Sequence, residues 1–458
     1  MTAHASIRPV AGTPRAYRFP AFERRRLDNG VELITAPVRK LPLVSVVALL
    51  DAGATRDQTG QEGLAVLTAK LLLEGTTTYD GAALVDAFEQ LGATVDVSTG
   101  WDSTAVQLSV LRGNAAAALQ LLSEVIREPG FRERDVARLK AERQAERMQM
   151  RTEPRELADE SFEHFLYAPA SRYSCSDAGS IQSIASMGRE DLLTFFRSQY
   201  VPARMTLIVV GDIGHDEAAK MAERAFSGWT GPPSGSAEVS EHPASRTRRI
   251  QIVAKSDAPQ SELRIGHLGV ARSHPDYFTL VVLNAILGGL FSSRINLNLR
   301  ERHGYAYGAR SAFEWRRGKG PFVVSTAVES GVSAAATREV VTEIETIRQA
   351  PIRPEELSLA TSFLAGVFPI RFETTMAIAT ALASLVTYAY PADYFDTYRR
   401  NIGAVTAEDV LRAAQTHLHP DQLLVLAVGD PDVIREPLER LEMGTVTVVQ
   451  PEDVEPGT

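Results

Sequence analysis

The chain has 458 residues, 44% of them hydrophobic and 23% charged, with 24 prolines and 32 glycines; at about 150 residues per domain this reads as a globular protein of two to four domains, which excludes wholesale disorder, collagen-like repeats and coiled coils. Lys and Arg number 48 against 57 Asp and Glu, for a net charge of −9, and no basic block is present to displace counterions from a phosphate backbone, so nucleic acid is not an expected partner. The lone cysteine, Cys175, permits neither an intramolecular disulfide nor a thiolate metal cluster.

Residues 1–20 read as an N-terminal arm. They carry Arg8, Arg15 and Arg18 but no apolar core of the length a secretory signal needs, so a cytoplasmic location is expected, or a periplasmic one if a signal has been removed. A first domain is expected over 21–230. Apolar periodicity predicts strands at 31–37, 43–50, 94–99 and 104–111 and helices at 64–74, 82–91, 115–126 and 134–151. It closes on the run Met205-Thr-Leu-Ile-Val-Val-Gly-Asp212. Residues 231–247, rich in Pro, Gly, Ser and charge without periodicity, read as a linker.

A second domain over 248–445 is expected to hold strands near 262–268, 305–315 and 322–328. Its helices are predicted at 277–287, 292–300, 334–349, 354–367, 374–388 and 407–418. It closes on Leu423-Leu-Val-Leu-Ala-Val-Gly-Asp430, and 446–458 form a tail. The apolar runs 41–50 and 376–389 are too short or too interrupted to cross a bilayer, so no membrane span is expected. The two closing runs share an apolar, β-branched core, a terminal Gly-Asp pair, a preceding Pro turn at Pro202 or Pro420, and a following helix with an acidic first turn. Lying nearly half the chain apart, they point to internal duplication. The fold class is therefore α+β, with two homologous domains, each a mainly antiparallel sheet covered by helices.

No P-loop, H-E-x-x-H or G-x-S-x-G is present. The nine histidines are dispersed. His417 and His419, spaced i, i+2 beside Pro420, would not share a helical face, and the histidines read as surface or capping residues.

Three stretches taken together carry a resemblance: Leu27-Asp-Asn-Gly-Val-Glu-Leu33, then Asp51-Ala-Gly-Ala-Thr-Arg56 leading into Gly63-Leu-Ala-Val-Leu-Thr-Ala-Lys-Leu-Leu-Leu-Glu-Gly-Thr76, and Leu283-Asn-Ala-Ile-Leu-Gly-Gly-Leu-Phe-Ser-Ser-Arg-Ile-Asn-Leu-Asn-Leu-Arg-Glu-Arg-His-Gly-Tyr-Ala-Tyr307. This order resembles the inverted-zincin peptidases, the insulinase, pitrilysin and mitochondrial-processing-peptidase family. The resemblance implies an H-x-x-E-H helix in the first domain, two His binding zinc and the Glu activating water. Here those places hold Val66, Ala69 and Lys70. The family's third ligand would fall near Glu146, which also reads as a solvated helix glutamate. The chain itself is therefore expected to bind no metal and to carry no cofactor, zinc being expected in a partner.

The resemblance further implies an Arg and a Tyr in the second domain, separated by six residues, and Arg300 and Tyr307 match in type and spacing. On their residues alone, Arg300 reads as a surface ion-pair partner and Tyr307 as part of a strand's packed face; the surrounding match reverses this. The resemblance implies a division of labour known from two-chain members, in which one subunit supplies zinc and base and the other the Arg and Tyr. This chain looks like the second kind: a non-catalytic subunit, inert alone, pairing with a zinc-binding homologue around unfolded or extended peptides. The alternatives are a structural paralogue resembling the core proteins of respiratory complexes, and a peptide-binding protein that does not cleave.

Overall fold

The computed structural model describes residues 16–231 and 241–454. Most of the arm expected at 1–20, most of the linker expected at 231–247 and the end of the tail lie outside the described residues. The described strands form two six-stranded sheets. The first contains β1 (Glu23–Arg26), β2 (Glu32–Pro37), β3 (Leu43–Leu50), β4 (Thr94–Thr99), β5 (Thr104–Leu111) and β6 (Met205–Gly211), in the order β1-β2-β6-β3-β5-β4. The second contains β7 (Arg249–Ala254), β8 (Gln260–Ala271), β9 (Ala309–Phe313), β10 (Lys319–Glu329), β11 (Leu424–Gly429) and β12 (Thr445–Val449), in the order β12-β7-β11-β8-β10-β9.

The two closing runs are β6 and β11. Each is inserted parallel to one strand, β2 or β7, and antiparallel to the strand that follows it in the chain, β3 or β8, with two antiparallel pairings beyond. The duplicated α+β reading therefore holds in order and direction over five strands per half. The outer strands differ: β1 is antiparallel to β2, whereas β12 runs parallel to β7. The ordered elements of the second half thus run past the boundary expected at 445.

Both β6 and β11 are buried along their whole length, the pattern of strands covered on both faces. One face of the first sheet packs Leu33, Val46, Leu108 and Leu207 against helices of its own half, including Leu64–Leu71 and Ala115–Arg127. On the other face, Ile34, Val47, Leu49, Ile208 and Val210 join the core of the second half. There the helix Thr375–Thr387 lies on β3 and β6, with Thr375 Oγ1 2.7 Å from Ser45 Oγ. Reciprocally, the helix Pro154–Leu166 lies on β8 and β11 and packs Leu157, Phe162 and Leu166 against Val323, Leu424 and Leu426. Duplicated halves with separate cores are the simpler expectation. Instead corresponding helices are exchanged, so the inner face of each sheet shares a core with the other half, while the first half keeps a core of its own on its outer face.

The hairpin between β9 and β10 strengthens this interlock. Arg316 at its tip is buried, pairs with Glu163 of the first half and stacks over Trp101, Tyr167 and Tyr173. Beside it, Arg317 N–H donates to Asp102 at 3.0 Å and its guanidinium to Asp51 at 2.5 Å. The run Tyr277–Arg302 is long and apolar enough to cross a membrane by length and composition. It is broken by a turn at 290–293, and half of its most apolar part is buried inside the protein, as expected of a core element.

Candidate functional site

The helix Leu64–Leu71 carries the degenerate motif. It opens at Gly63, whose φ of +93° is open to glycine, and a Cβ there would lie 2.6 Å from the Ala178 carbonyl oxygen. Asp57, six residues earlier, anchors the start: its carboxylate accepts from the N–H groups of Gly63 and Ala65, each at 2.8 Å, and from Arg172 at 2.8 Å. Burial pushes the Asp57 carboxyl up to about 6, against the pull of Arg172 and the two N–H groups.

On this helix Ala69 is buried, and Val66 and Lys70 are half-exposed. The Lys70 ammonium lies 3.9 Å from Glu146 Oε1 on the helix Glu133–Met150, and Glu146 also pairs with Arg143. An isopropyl group, a methyl group and an ammonium offer no lone pair, and the nearby carboxylate is engaged by two cations. These residues do not fit zinc.

In the second half, the helix Tyr277–Asn284 widens into π geometry over Ala285–Gly289. Gly288 is required by contact: a Cβ would meet Ser311 N at 2.6 Å and Ser311 Oγ at 2.4 Å, so only glycine lets this turn lie against β9. Asn284 accepts a hydrogen bond from Ser311 Oγ at 2.7 Å, and Asn296 joins the Phe291 carbonyl to the Ala309 N–H at 2.6 and 3.0 Å. A second π segment, Leu297–Arg302, ends in the reversal at Gly304, φ +66°.

Arg300 and Tyr307 meet across this reversal. The Arg300 guanidinium carbon lies 5.3 Å from the Tyr307 ring centroid and 4.7 Å from that of Phe291, and Nε is 3.3 Å from Glu301. Tyr307 lies neither in the strand expected over 305–315 nor on a strand's packed face. The strand begins at Ala309, and Tyr307 stands 91% exposed in the loop before it, because Tyr305 N–H is held by the Leu299 carbonyl and the chain reaches sheet geometry only after Gly308. Both side chains line one cavity of about 740 Å³ with Phe291, Arg155, Arg264 and Arg310.

Sequence reasoning missed Arg155 and Arg310, because neither has a local signature. It also treated the histidines as dispersed, and the fold corrects this. His267 lies 5.1 Å from His419, and His274 lies 4.8 Å from His417, ring to ring. His274, Asp276 and His417 are close enough together to hold an ion. Asp276 already accepts from both terminal guanidinium nitrogens of Arg412, at 2.9 and 3.0 Å, and lies 2.7 Å from His417 Nε2. Arg412 foremost holds its carboxyl well below the ordinary range. The arrangement reads as an ion-pair clasp between two helices.

The sequence model of the insulinase family, peptidase family M16, matches residues 38–174, and that of the peptidase M16 inactive domain matches residues 186–364. The probable mitochondrial-processing peptidase subunit beta of Arabidopsis thaliana is 22% identical over 446 residues, covering 93% of this chain and 82% of that protein. An uncharacterized zinc protease of Bacillus subtilis is 22% identical over 354 residues, covering 77% and 85%. Among solved structures, a peptidase M16 inactive domain from Pseudomonas fluorescens superposes with a TM-score of 0.84 at 25% identity, over 90% of this chain and 98% of that one.

Proposed function

We propose, from the premise that the chain belongs to the insulinase family of peptidases, that it is the non-catalytic subunit of a two-chain zinc metallopeptidase. It supplies Arg300 and Tyr307 to a homologous subunit that carries the zinc. The observation that carries this reading is the contrast between its two halves. Where the family would hold metal, Lys70 faces Glu146; where it would hold the Arg and Tyr, both are present, in contact and facing an open cavity. A chain inert in every respect has no need of a tyrosine held 91% exposed against a guanidinium.

The roles follow from the side chains. The Tyr307 hydroxyl has no hydrogen-bond partner among the described residues, so it is free to donate to a peptide carbonyl oxygen as charge develops there. Arg300, held between two aromatic rings, is always charged and fork-shaped, and it suits anchoring a neighbouring substrate carbonyl. The substrates of this reading are extended or unfolded peptides.

The test mixes this chain, wild type or variant, with its zinc-bearing homologue on an unstructured peptide, after assembly is confirmed. Each wild-type chain alone should be inactive and the mixture active. Removing an oxyanion donor costs about a hundredfold in kcat where that donor acts alone. Tyr307→Phe, with the metal sharing the charge, should therefore lower kcat by about tenfold or more, while Arg300→Ala should raise KM as well as lower turnover. Full activity of both variant mixtures would favour the structural-paralogue alternative.

A further inference from the structure

The cavity beside Arg300 and Tyr307 has a charge opposite to that of the whole chain. Its lining includes four arginines, Arg155, Arg264, Arg300 and Arg310, against one carboxylate, Glu262, whereas the chain carries −9. The register of the second sheet explains the clustering. Ser325 on β10 pairs with Arg264 on β8 to one side and with Arg310 on β9 to the other. Cross-strand partners project from the same face, so the two arginines flank Ser325 in one row. The exchanged helix Pro154–Leu166 covers this face over β8 and β11, leaving the β10–β9 end as the floor of the groove and Arg155 on the helix's first turn at its wall.

These cations differ in how they are compensated. Arg264 is buried and held by Asp159 at 2.5 Å and Glu262 at 2.8 Å, so the groove's own carboxylate is engaged. Arg300 has Glu301 at 3.3 Å. Arg155 and Arg310 are exposed and form no ion pair among the described residues. Next to them Phe291 is 67% exposed. Two uncompensated guanidiniums sharing a concave surface with a third and with an open aromatic ring present a site for an anion attached to an apolar chain.

We propose that this groove selects peptides by a carboxylate received between Arg155 and Arg310, with an apolar neighbour lying on Phe291. The inference rests on the peptide-binding part of the proposed function and reverses the preference that net charge alone would give. Arg155 and Arg310 are specificity-determining residues, distinct in role from Arg300 and Tyr307. The carboxylate belongs either to an Asp or Glu side chain or to a peptide C-terminus, and the experiment separates the two.

Binding of fluorescein-labelled unstructured peptides to the purified full chain is read by polarisation. The peptides share one sequence with three Glu or three Gln and with a free or an amidated C-terminus. The Glu peptide should bind up to about fivefold tighter than the Gln peptide at low salt, the upper end for a partly exposed charge pair, with the difference shrinking as salt rises. Arg155→Gln and Arg310→Gln, both on exposed positions, should each reduce the ratio, and the double variant should bring it to about one with an unchanged circular dichroism spectrum. A preference governed by amidation, and still lost in the double variant, assigns the carboxylate to the chain end. Equal binding of Glu and Gln peptides with no effect of amidation, or a preference that survives in the double variant, overturns the proposal and leaves peptide binding intact. Failure of every peptide to bind overturns the peptide-binding reading and this inference with it.

Discussion

Replacing Arg316 by methionine should loosen the interlock between the halves by an amount the structure sets. The Arg316 side chain is 4% exposed and pairs with Glu163 on the exchanged helix Pro154–Leu166. Its guanidinium carbon lies 4.7 Å from the Trp101 centroid and 4.8 Å from that of Tyr173. Burial pushes the Glu163 carboxyl up to about 7, with Arg316 the main opposing influence. Removing one partner of a buried ion pair costs about 3–5 kcal/mol because the remaining charge is left uncompensated. Glu163 keeps 22% of its side chain in contact with solvent and can take up a proton, which places the loss at the lower end, about 3 kcal/mol. With an unfolding entropy of about 2.1 cal/mol/K per residue, a chain of this size loses about 3 °C of Tm. Differential scanning calorimetry at pH 7 of Arg316→Met, Glu163→Gln and the double variant completes a cycle. The double variant should recover most of the loss, since it leaves no unpaired charge. A Tm within 1 °C of wild type for Arg316→Met, or a double variant no more stable than the single, would refute the reasoning.

His267 gives a pH dependence of defined sign. It is buried, its Nε2 accepts from the His419 N–H and its Nδ1 donates to the Leu268 carbonyl, and burial lowers its pKa to about 4. Because the folded state takes up the proton less readily than the unfolded chain, whose His titrates near about 6.5, stability is complete above that pH and falls by about 3 kcal/mol as pH drops toward 4; denaturant midpoints at pH 7 and 4.5 should differ less for His267→Gln than for wild type, and equal differences would refute the assignment. Gly288→Ala should lower stability by about 1–3 kcal/mol through overpacking against Ser311 and weaken peptide binding with it; an unchanged melt would show that the π turn tolerates a side chain. Metal analysis after dialysis against zinc should find no stoichiometric ion held by Val66, Lys70 and Glu146, and one zinc per chain lost on Glu146→Gln would contradict the geometry.

What the sequence determines by itself is whatever depends on neighbours a few residues away. The strands at 43–50, 94–99 and 104–111 and the helix at 64–74 emerge where their apolar spacing places them, because periodicity fixes which face is buried before any partner is known. The loss of the zinc set is of the same kind: positions 66, 69 and 70 share one helix, so their chemistry is settled by identity alone. The repeated Gly-Asp runs disclose the duplication for the same reason. The helix Pro154–Leu166 carries a local signal too, a Pro at its first position and Leu157, Ala158, Phe162 and Leu166 along one face, but nothing local tells that this face is completed by β8 and β11, far away in the chain.

The pairing of Arg300 with Tyr307 stands between these cases: the spacing is visible in the sequence, but the approach depends on the left-handed turn at Gly304 and on the π segments that set where each side chain emerges. The gathering of four histidines and the cluster of Arg155, Arg264 and Arg310 were decided by tertiary structure alone. Strand register and helix exchange choose which distant charges become neighbours and which of them a carboxylate compensates. Net charge sums over the whole surface, whereas a groove responds to the few groups that line it, because salt and solvent screen the rest beyond about 10 Å.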